Sequence, residues 1–127
     1  MAKQKILVTG GAGYIGAHVV HALHDDGCDV LVVDNLSTGD PEQLPPGVDL
    51  ETIDITDRPS VVRVLAAYQP ECVFHFAGSI VVPDSVIRPL EYYQNNTVAS
   101  HGLISACLDS EIRKFVFSST AAVYGHP

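Results

Sequence analysis

The sequence predicts an α/β domain built on a doubly wound parallel sheet, and three observations indicate it. Short apolar runs alternate with stretches of helical periodicity along the 127 residues, an order typical of repeated βαβ units. The runs continue without polar alternation, as in strands buried on both faces. A glycine-rich segment, residues 10–16, separates the first run from the first helical stretch. Right-handed crossovers then predict the strand order 3-2-1-4-5.

Two predicted strands flank the first predicted helix. The strands are Lys5–Thr9 and Asp29–Val33, and Asp34 ends the second. The helix runs from Tyr14 to about Asp26, and Gly27 stops it. Its buried stripe, at every fourth position, is predicted to be Ile15, Val19 and Leu23.

The middle of the chain holds a loop, a short strand and a helix. Prolines and a glycine interrupt residues 35–47, which are predicted to be mostly loop. A strand follows at Val48–Ile53, and Asp57 is placed to cap a helix that has Pro59 in its first turn. The predicted buried stripe of this helix is Val61, Val62, Leu65 and Ala66.

The last predicted elements are two strands and a long helix. Glu71–Phe76 is a strand, residues 89–109 form the helix, and Lys114–Ser118 is a strand at the edge of the sheet. The second half of the helix carries its apolar stripe, at Leu103, Ile104, Cys107 and Leu108.

Composition limits the domain count, the partners and the compartment. With 46% hydrophobic and 17% charged residues, residues 1–127 can bury one core. Asp and Glu outnumber Lys and Arg 15 to 7, so neither nucleic acid nor an anionic membrane is a predicted partner. The 3 cysteines form no CxxC pair, which predicts neither disulfides nor a zinc site and favours the cytoplasm. No signal peptide or membrane span of ~20 apolar residues is predicted.

The glycine-rich segment has the GxxGxxG spacing of a phosphate-binding turn. Gly10 would allow the tight turn, Gly13 would let the backbone approach a pyrophosphate, and Gly16 would let the helix lie close to the strand. The helix N-terminus would attract phosphates. Asp34, 18 residues after Gly16, lies near the ~20-residue spacing of a ribose-binding carboxylate. The alternative is that these residues only shape a turn and end a strand.

The acid at position 34 also bears on cofactor choice. Its charge would repel a 2′-phosphate, and no arginine stands beside it in the sequence to bind one. The sequence therefore favours NAD over NADP.

Six segments, in order, resemble the extended short-chain dehydrogenase/reductase family and, within it, the UDP-glucose (UDP-galactose) 4-epimerases. They read TGGAGYIG, DNLS, DITD, HFAG, PLEYYQNN and SSTAAVYG. The resemblance implies a Rossmann-type NAD-binding domain. It also implies interconversion of UDP-glucose and UDP-galactose through a 4-keto intermediate, as in galactose metabolism, with a UDP-sugar as substrate.

The resemblance further implies a set of site residues and no metal. Cofactor contacts carry over to Gly10, Gly13, Tyr14, Ile15 and Gly16 at the pyrophosphate, to Asp34, Asn35 and Leu36 at the adenosine ribose, to Asp54 and Ile55 at the adenine, and to Phe76, Ala77, Gly78 and Asn95 along the rest of the cofactor. Thr120 resembles the catalytic hydroxyl beside the C4 oxygen of the sugar. There it would help pass the C4 hydroxyl proton to a base.

Several positions depart from the family pattern. The Tyr-x-x-x-Lys motif that carries the base does not occur in the 127 residues, and Tyr124 has no Lys four positions later. We therefore expect an incomplete domain, cut before its sixth strand and without the C-terminal substrate domain, and no activity from the isolated chain. Ile80 stands where the family often has Lys. Residues 121–122, Ala-Ala, replace the Asp-Glu of the dehydratases and favour epimerisation.

Two other functions stay open. One is an inert NAD-binding module or fragment, and the other is a further extended short-chain dehydrogenase that acts on a nucleotide sugar.

The chain is also predicted to self-associate as a homodimer or another assembly. The contact would be made through an uncovered fifth strand or through the long helix.

Polar residues outside the motifs have simpler interpretations. The histidines at 18, 21 and 24 fan out around a helix and indicate a solvated face rather than a metal site. His75 is predicted to be a hydrogen-bonded core histidine. For Asn96, substrate binding and backbone bridging are equally compatible with the sequence.

Overall fold

A computed structural model of the chain describes residues 3–36, 39–76 and 99–117. The described strands form one parallel sheet in the order β3-β2-β1-β4-β5, which confirms the predicted order. The strands are β1 (Lys5–Thr9), β2 (Asp29–Asp34), β3 (Asp49–Thr52), β4 (Cys72–His75) and β5 (Lys114–Phe117). The helices are α1 (Tyr14–Asp25), α2 (Arg58–Tyr68) and α3 (Ala99–Asp109), with a 3-10 turn at Pro41–Gln43.

Helices cover both faces of the sheet, as the uninterrupted apolar runs predict. On one face α2 and α3 pack against alternate strand residues, which include Leu7, Leu31 and Val73. On the other face α1 packs against the residues between them, such as Val8 and Val32. Both faces are therefore buried at the three central strands, which explains why these strands show no polar alternation.

The buried side of α1 differs from its predicted stripe. Gly16, Ala17 and Val20 are buried against the sheet. Of the predicted stripe, Leu23 packs half-buried against the core, whereas Ile15 is 48% exposed. Small side chains let the helix backbone approach the strands, and a search for large apolar residues at every fourth position misses them.

The stripes predicted for α2 and α3 were half right, because each included two exposed residues and omitted one buried residue. The buried positions are Val61, Val64 and Leu65 in α2 and Leu103, Ala106 and Cys107 in α3. The predicted members Val62, Ile104 and Leu108 are 38%, 40% and 57% exposed, and Ala66 is exposed as well. At about 100° per residue, positions i, i+3 and i+4 share the buried face, whereas the residues at i+1 and i+5 point toward solvent.

Asp57 occupies the N-cap position of α2, and Pro59 lies in the first turn, as predicted. The Asp57 carboxylate accepts a hydrogen bond from the Ser60 hydroxyl at 2.7 Å rather than from a backbone N–H.

The first half of the predicted long helix and Ser118 lie outside the described residues. Within the part of the chain that the structure describes, no helix is long and apolar enough to cross a membrane.

Helix α1 ends in the Schellman arrangement that Gly27 predicts. The N–H of Gly27 donates to the carbonyl of His24 at 3.1 Å, and that of Cys28 donates to Leu23 at 3.0 Å. Gly27 has φ +86°, a left-handed conformation that glycine adopts without a steric penalty. The Leu23 and His24 carbonyls of the last turn are thereby satisfied.

Helix α3 ends in the same way, but with Glu111 at the left-handed position, φ +64°. The N–H groups of Glu111 and Ile112 donate to Leu108 and Cys107 at 3.1 and 2.8 Å. Because a side chain in this conformation costs about 1 kcal/mol, we expect Glu111→Gly to raise the free energy of unfolding by about that amount in urea titrations.

The reverse change at the other helix is the control for this prediction. Gly27→Ala should lower the free energy of unfolding by about 1 kcal/mol. A destabilised Glu111→Gly variant would show that the glutamate makes a favourable contact larger than its backbone penalty.

Candidate functional site

The segment between β1 and α1 forms a tight turn at the carboxyl edge of the sheet. Gly10 has φ +69°, and its N–H donates to the Val33 carbonyl at 2.8 Å. The Gly13 N–H in turn donates to the Gly10 carbonyl at 3.2 Å. The turn predicted at Gly10 is confirmed, and it fixes the glycine segment against β2.

Gly16 and Gly11 are required by close packing. A Cβ on Gly16 would overlap the Gly10 carbonyl oxygen and lie 2.9 Å from the Gly11 Cα. The first turn of α1 can therefore lie this close to the glycine turn only because residue 16 has no side chain. A Cβ on Gly11 would lie 2.8 Å from a methyl group of Val32. No role is predicted for Gly11 in the GxxGxxG spacing, although the Gly10–Gly11 doublet marks a place where the chain packs closely.

Gly13 has no comparable internal reason to be glycine. Its φ is −78°, and an added Cβ would lie 3.4 Å from the Gly10 carbonyl oxygen, an ordinary contact. Among the described residues nothing excludes a side chain at this position. A glycine is then expected where a ligand lies against the backbone, which is the role that the spacing predicts.

The N-terminus of α1 is suited to an anion. The first-turn N–H groups of a helix have no intrahelical partner, and Gly13, at the N-cap, has no side chain to cap them. The first turn carries no acidic residue, so the positive end of the helix dipole is not neutralised there. Tyr14 and Ile15 are 76% and 48% exposed beside it.

Asp34 connects the end of β2 to the glycine turn. Its side chain is buried, with residue exposure of 7%. Oδ2 accepts the Ala12 N–H at 3.0 Å, and Oδ1 accepts the Leu36 N–H at 2.8 Å. Leu36 has φ +61°, so the chain turns sharply around the carboxylate. Asp34 is a predicted site residue, whereas its bond to Ala12 has no signal in the sequence.

Residues 39–43 fold back over the start of α1. The Asp40 N–H donates to the Ala12 carbonyl at 2.9 Å, and the ring Nε2–H of His21 donates to the Gln43 carbonyl at 2.6 Å. A Cβ on Gly39 would lie 3.0 Å from the Asp34 Oδ2 and from the Ala12 Cβ. His21 is exposed, as predicted, yet it holds this segment in place.

Asp54 and Ile55 follow β3 at the same edge. The Asp54 Oδ1 accepts bonds from the N–H and the hydroxyl of Thr56, at 2.9 and 2.8 Å. Ile55 packs half-buried against the core. Because β3 lies next to β2, with Thr52 opposite Asp34, these residues continue the edge on which Asp34 lies.

Phe76 continues the edge on the other side of β1. Its N–H donates to the Thr9 carbonyl at 2.9 Å, directly before Gly10. The described candidate residues therefore all follow carboxyl ends of strands, where ligands of open parallel sheets bind. Ala77, Gly78, Asn95, Asn96 and Thr120 lie outside the described residues.

A buried polar group lies directly beneath this edge. His75 is 2% exposed, and its ring nitrogens share hydrogen bonds with the Thr9 hydroxyl at 2.5 Å and the Ser100 hydroxyl at 2.7 Å. Burial lowers the pKa of His75 to about 4, so the ring is neutral at pH 7. The predicted core histidine is confirmed, while its partners carried no sequence signal.

Residues 3–36, 39–76 and 99–117 contain no cluster of metal ligands. No set of three or more His, Cys, Asp or Glu side chains there is placed to hold an ion. All three cysteines are free and buried.

Comparison with known proteins identifies the family. The model for the NAD dependent epimerase/dehydratase family matches residues 6–127. The chain belongs to this family. Its relatives in the epimerase/dehydratase family include the UDP-glucose 4-epimerase of Azospirillum brasilense, 53% identical over 126 residues, which cover 99% of this chain and 36% of that protein.

Solved structures of sugar-nucleotide epimerases share the fold. UDP-glucose 4-epimerase from Brucella ovis, in complex with NAD, matches at a TM-score of 0.91 and 39% identity, over 98% of this chain and 38% of that one. UDP-N-acetylglucosamine 4-epimerase from Methanobrevibacter ruminantium matches at 0.86 and 41% identity, over 100% and 41%. The chain thus spans less than half the length of these proteins and has the Rossmann fold.

Proposed function

We propose that the chain is the NAD-binding part of an enzyme that interconverts UDP-glucose and UDP-galactose. The observation that carries the proposal is the glycine turn joined to Asp34 in a chain 53% identical to a UDP-glucose 4-epimerase. Residues 1–127 would supply the cofactor half of the site, and a UDP-sugar would be the substrate of the whole enzyme.

The residues present fit the cofactor. The exposed helix N-terminus can accept the pyrophosphate, and the Asp34 carboxylate has about four lone-pair positions, of which two accept backbone N–H groups. We propose that the others accept ribose hydroxyls. The proposed contacts are Gly10, Gly13, Tyr14, Ile15 and Gly16 at the pyrophosphate, Asp34, Asn35 and Leu36 at the ribose, Asp54 and Ile55 at the adenine, and Phe76, Ala77, Gly78 and Asn95 along the remainder.

The proposed chemistry is oxidation and re-reduction at C4 of the sugar. When bound, NAD supplies the acceptor for the C4 hydride and returns it. Thr120, three residues after β5, is proposed to hydrogen-bond the C4 oxygen and help move its proton. The resemblance gives the proton acceptor as the tyrosine of a Tyr-x-x-x-Lys motif, which these 127 residues do not contain.

A chimera tests the activity. Residues 1–127 replace the matching stretch of the Azospirillum brasilense enzyme, and conversion of UDP-galactose to UDP-glucose is followed with NAD present. We expect turnover, and we expect Thr120→Ala to lower it about 100-fold or more. A folded chimera that binds NAD but does not convert the sugar would contradict the assigned reaction.

The second candidate is cofactor binding without turnover by these 127 residues alone. It is favoured because the chain spans 36% of the length of the Azospirillum brasilense relative. Epimerase activity of the isolated chain above that of its Thr120→Ala variant would contradict it. A third candidate, epimerisation of an acetylated nucleotide sugar, is supported by the similarity to the Methanobrevibacter ruminantium enzyme.

Asp34 gives a prediction for cofactor choice. Its negative charge would repel the 2′-phosphate on the ribose of NADP. We therefore expect NAD to bind at least about 30-fold more tightly than NADP. Asp34→Ala should lower NAD affinity by about 10-fold or more and bring the two affinities close together. Isothermal titration with both dinucleotides measures the ratio.

The control removes an acid far from the proposed site. Asp49 is the first residue of β3 and is exposed. It lies at the amino end of the strands, whereas Asp34 lies at their carboxyl end. Asp49→Ala should leave the NAD to NADP ratio unchanged. A ratio near one in the unmodified chain would contradict the ribose role of Asp34.

We also propose a cytoplasmic location and self-association. Three free, buried cysteines are compatible with a reducing compartment. Apolar side chains are exposed on α3 and on the edge strand β5, with Leu108 and Phe117 57% and 56% exposed, and such surfaces favour pairing of chains. A monomeric sedimentation profile at high protein concentration would contradict self-association.

A further inference from the structure

We propose that Asp34 is a positioning residue for the pyrophosphate turn in addition to its proposed ribose contact. The inference rests on the proposed cofactor site. It implies that the two halves of the adenosine diphosphate site are coupled through one carboxylate. Removing that carboxylate should therefore weaken binding even of a ligand that has no ribose hydroxyl.

The first observation is that both peptide groups of Ala12 are held. Its N–H donates to the Asp34 Oδ2 at 3.0 Å, and its carbonyl accepts the Asp40 N–H at 2.9 Å. The Ala12 side chain is fully buried, and Gly39 packs so closely against it that a Cβ on Gly39 would lie 3.0 Å from the Ala12 Cβ. Ala12 cannot rotate without breaking these contacts.

The second observation is where Ala12 lies. It directly precedes Gly13, the N-cap of α1, whose carbonyl accepts the first helical hydrogen bond from the Ala17 N–H at 2.8 Å. The peptide between Ala12 and Gly13 therefore sets the direction in which the chain enters the helix. That direction orients the first-turn N–H groups that would face the phosphates.

The third observation is that Asp34 is itself fixed. Its Oδ1 accepts the Leu36 N–H at 2.8 Å, and its side chain is buried with a residue exposure of 7%. Hydrogen bonds to an ionised carboxylate are stronger than those between neutral groups. Asp34 thus ties the turn to the end of β2 before any ligand arrives, and preorganisation of this kind raises affinity.

The test uses a ligand that lacks the direct contact. Titration calorimetry compares ADP with 2′,3′-dideoxy-ADP, which has the pyrophosphate but neither ribose hydroxyl, on the full chain and on Asp34→Ala. If Asp34 acted only on the hydroxyls, dideoxy-ADP would bind both proteins equally. We expect Asp34→Ala to bind dideoxy-ADP about 10-fold more weakly.

A second readout reports on the turn itself. In the ligand-free variant, amide hydrogen exchange at Ala12 should accelerate at least about 10-fold, while exchange at Val8, in the middle of β1, stays unchanged. Asp34→Asn, which keeps one acceptor oxygen, should lose less dideoxy-ADP affinity, about 3-fold. This variant carries the comparison if Asp34→Ala does not fold. Asp49→Ala is again the charge control and should change neither readout.

Each remaining result overturns a stated claim. Equal dideoxy-ADP affinity in the unmodified and variant chains, or unchanged exchange at Ala12, overturns the positioning role and leaves the proposed function standing. A chain that binds ADP but no dideoxy-ADP at millimolar concentration also overturns it, because the turn then adds no affinity of its own. A folded chain that binds neither ADP nor NAD overturns the proposed function.

Discussion

Replacing Gly16 by alanine is expected to lower the free energy of unfolding by about 3 kcal/mol and to abolish NAD binding. The added Cβ would overlap the backbone carbonyl of Gly10 and lie 2.9 Å from the Gly11 Cα. Backbone atoms cannot rotate away as a side chain can, so α1 must shift or the turn must open. Urea titration measures the stability, and calorimetry measures NAD affinity.

Gly102 is a matched control because it is also a helical glycine. A Cβ on Gly102, in α3, would meet no atom of the described residues within 4 Å, apart from the neighbouring backbone of its own helix. Alanine has the higher helix propensity, so Gly102→Ala should raise the free energy of unfolding by about 0.5–1 kcal/mol. Equal effects of the two substitutions would mean that packing at the turn does not set the requirement at Gly16.

Acidification is expected to destabilise the fold by about 3 kcal/mol through His75 alone. Burial lowers its pKa from 6.5 to about 4, so between these values the unfolded chain binds a proton that the folded chain does not. Stability from the neutral ring is present above pH 6.5 and is lost as the pH falls toward 4. Its slope approaches about 1.4 kcal/mol per pH unit.

A variant that cannot titrate isolates this contribution. His75→Gln keeps a polar side chain near the Thr9 and Ser100 hydroxyls but binds no proton in this range. It should be less stable than the unmodified chain at pH 7, and the difference should shrink by about 3 kcal/mol on going to pH 4. A difference that stays constant with pH would contradict a depressed pKa at His75.

The strand order and the glycine turn could be predicted because their signals are local. Each central strand is an apolar run, and Gly10 and Gly16 stand at a spacing that the turn needs. Asp34 was also predictable, since it ends the strand after the turn. The glycine turn and Asp34 both lie within residues 5–34, and the strand order follows from the alternation of strands and helices together with right-handed crossovers.

The partners of these residues could not be predicted, because they depend on packing between distant segments. Nothing in the sequence pairs Thr9 with His75 and Ser100, or the Ala12 N–H with Asp34. The wrong stripe of α1 has the same origin: Gly16 and Ala17 face the sheet because they are small, and hydrophobicity alone does not mark them.

The central place of β1 in the sheet has a consequence for how the chain assembles. β1 is the first strand in sequence, and β2, β3, β4 and β5 are each added to an outer edge of the growing sheet. None of the five described strands has to insert between two that are already paired. The glycine turn and Asp34 lie within the first β-α-β unit, residues 5–34, so this local part can form early, during synthesis. The contact between Thr9 and His75 spans 66 residues, and such distant contacts are the slow ones. The glycine turn that we propose binds the pyrophosphate would thus be in place before the other half of the sheet exists.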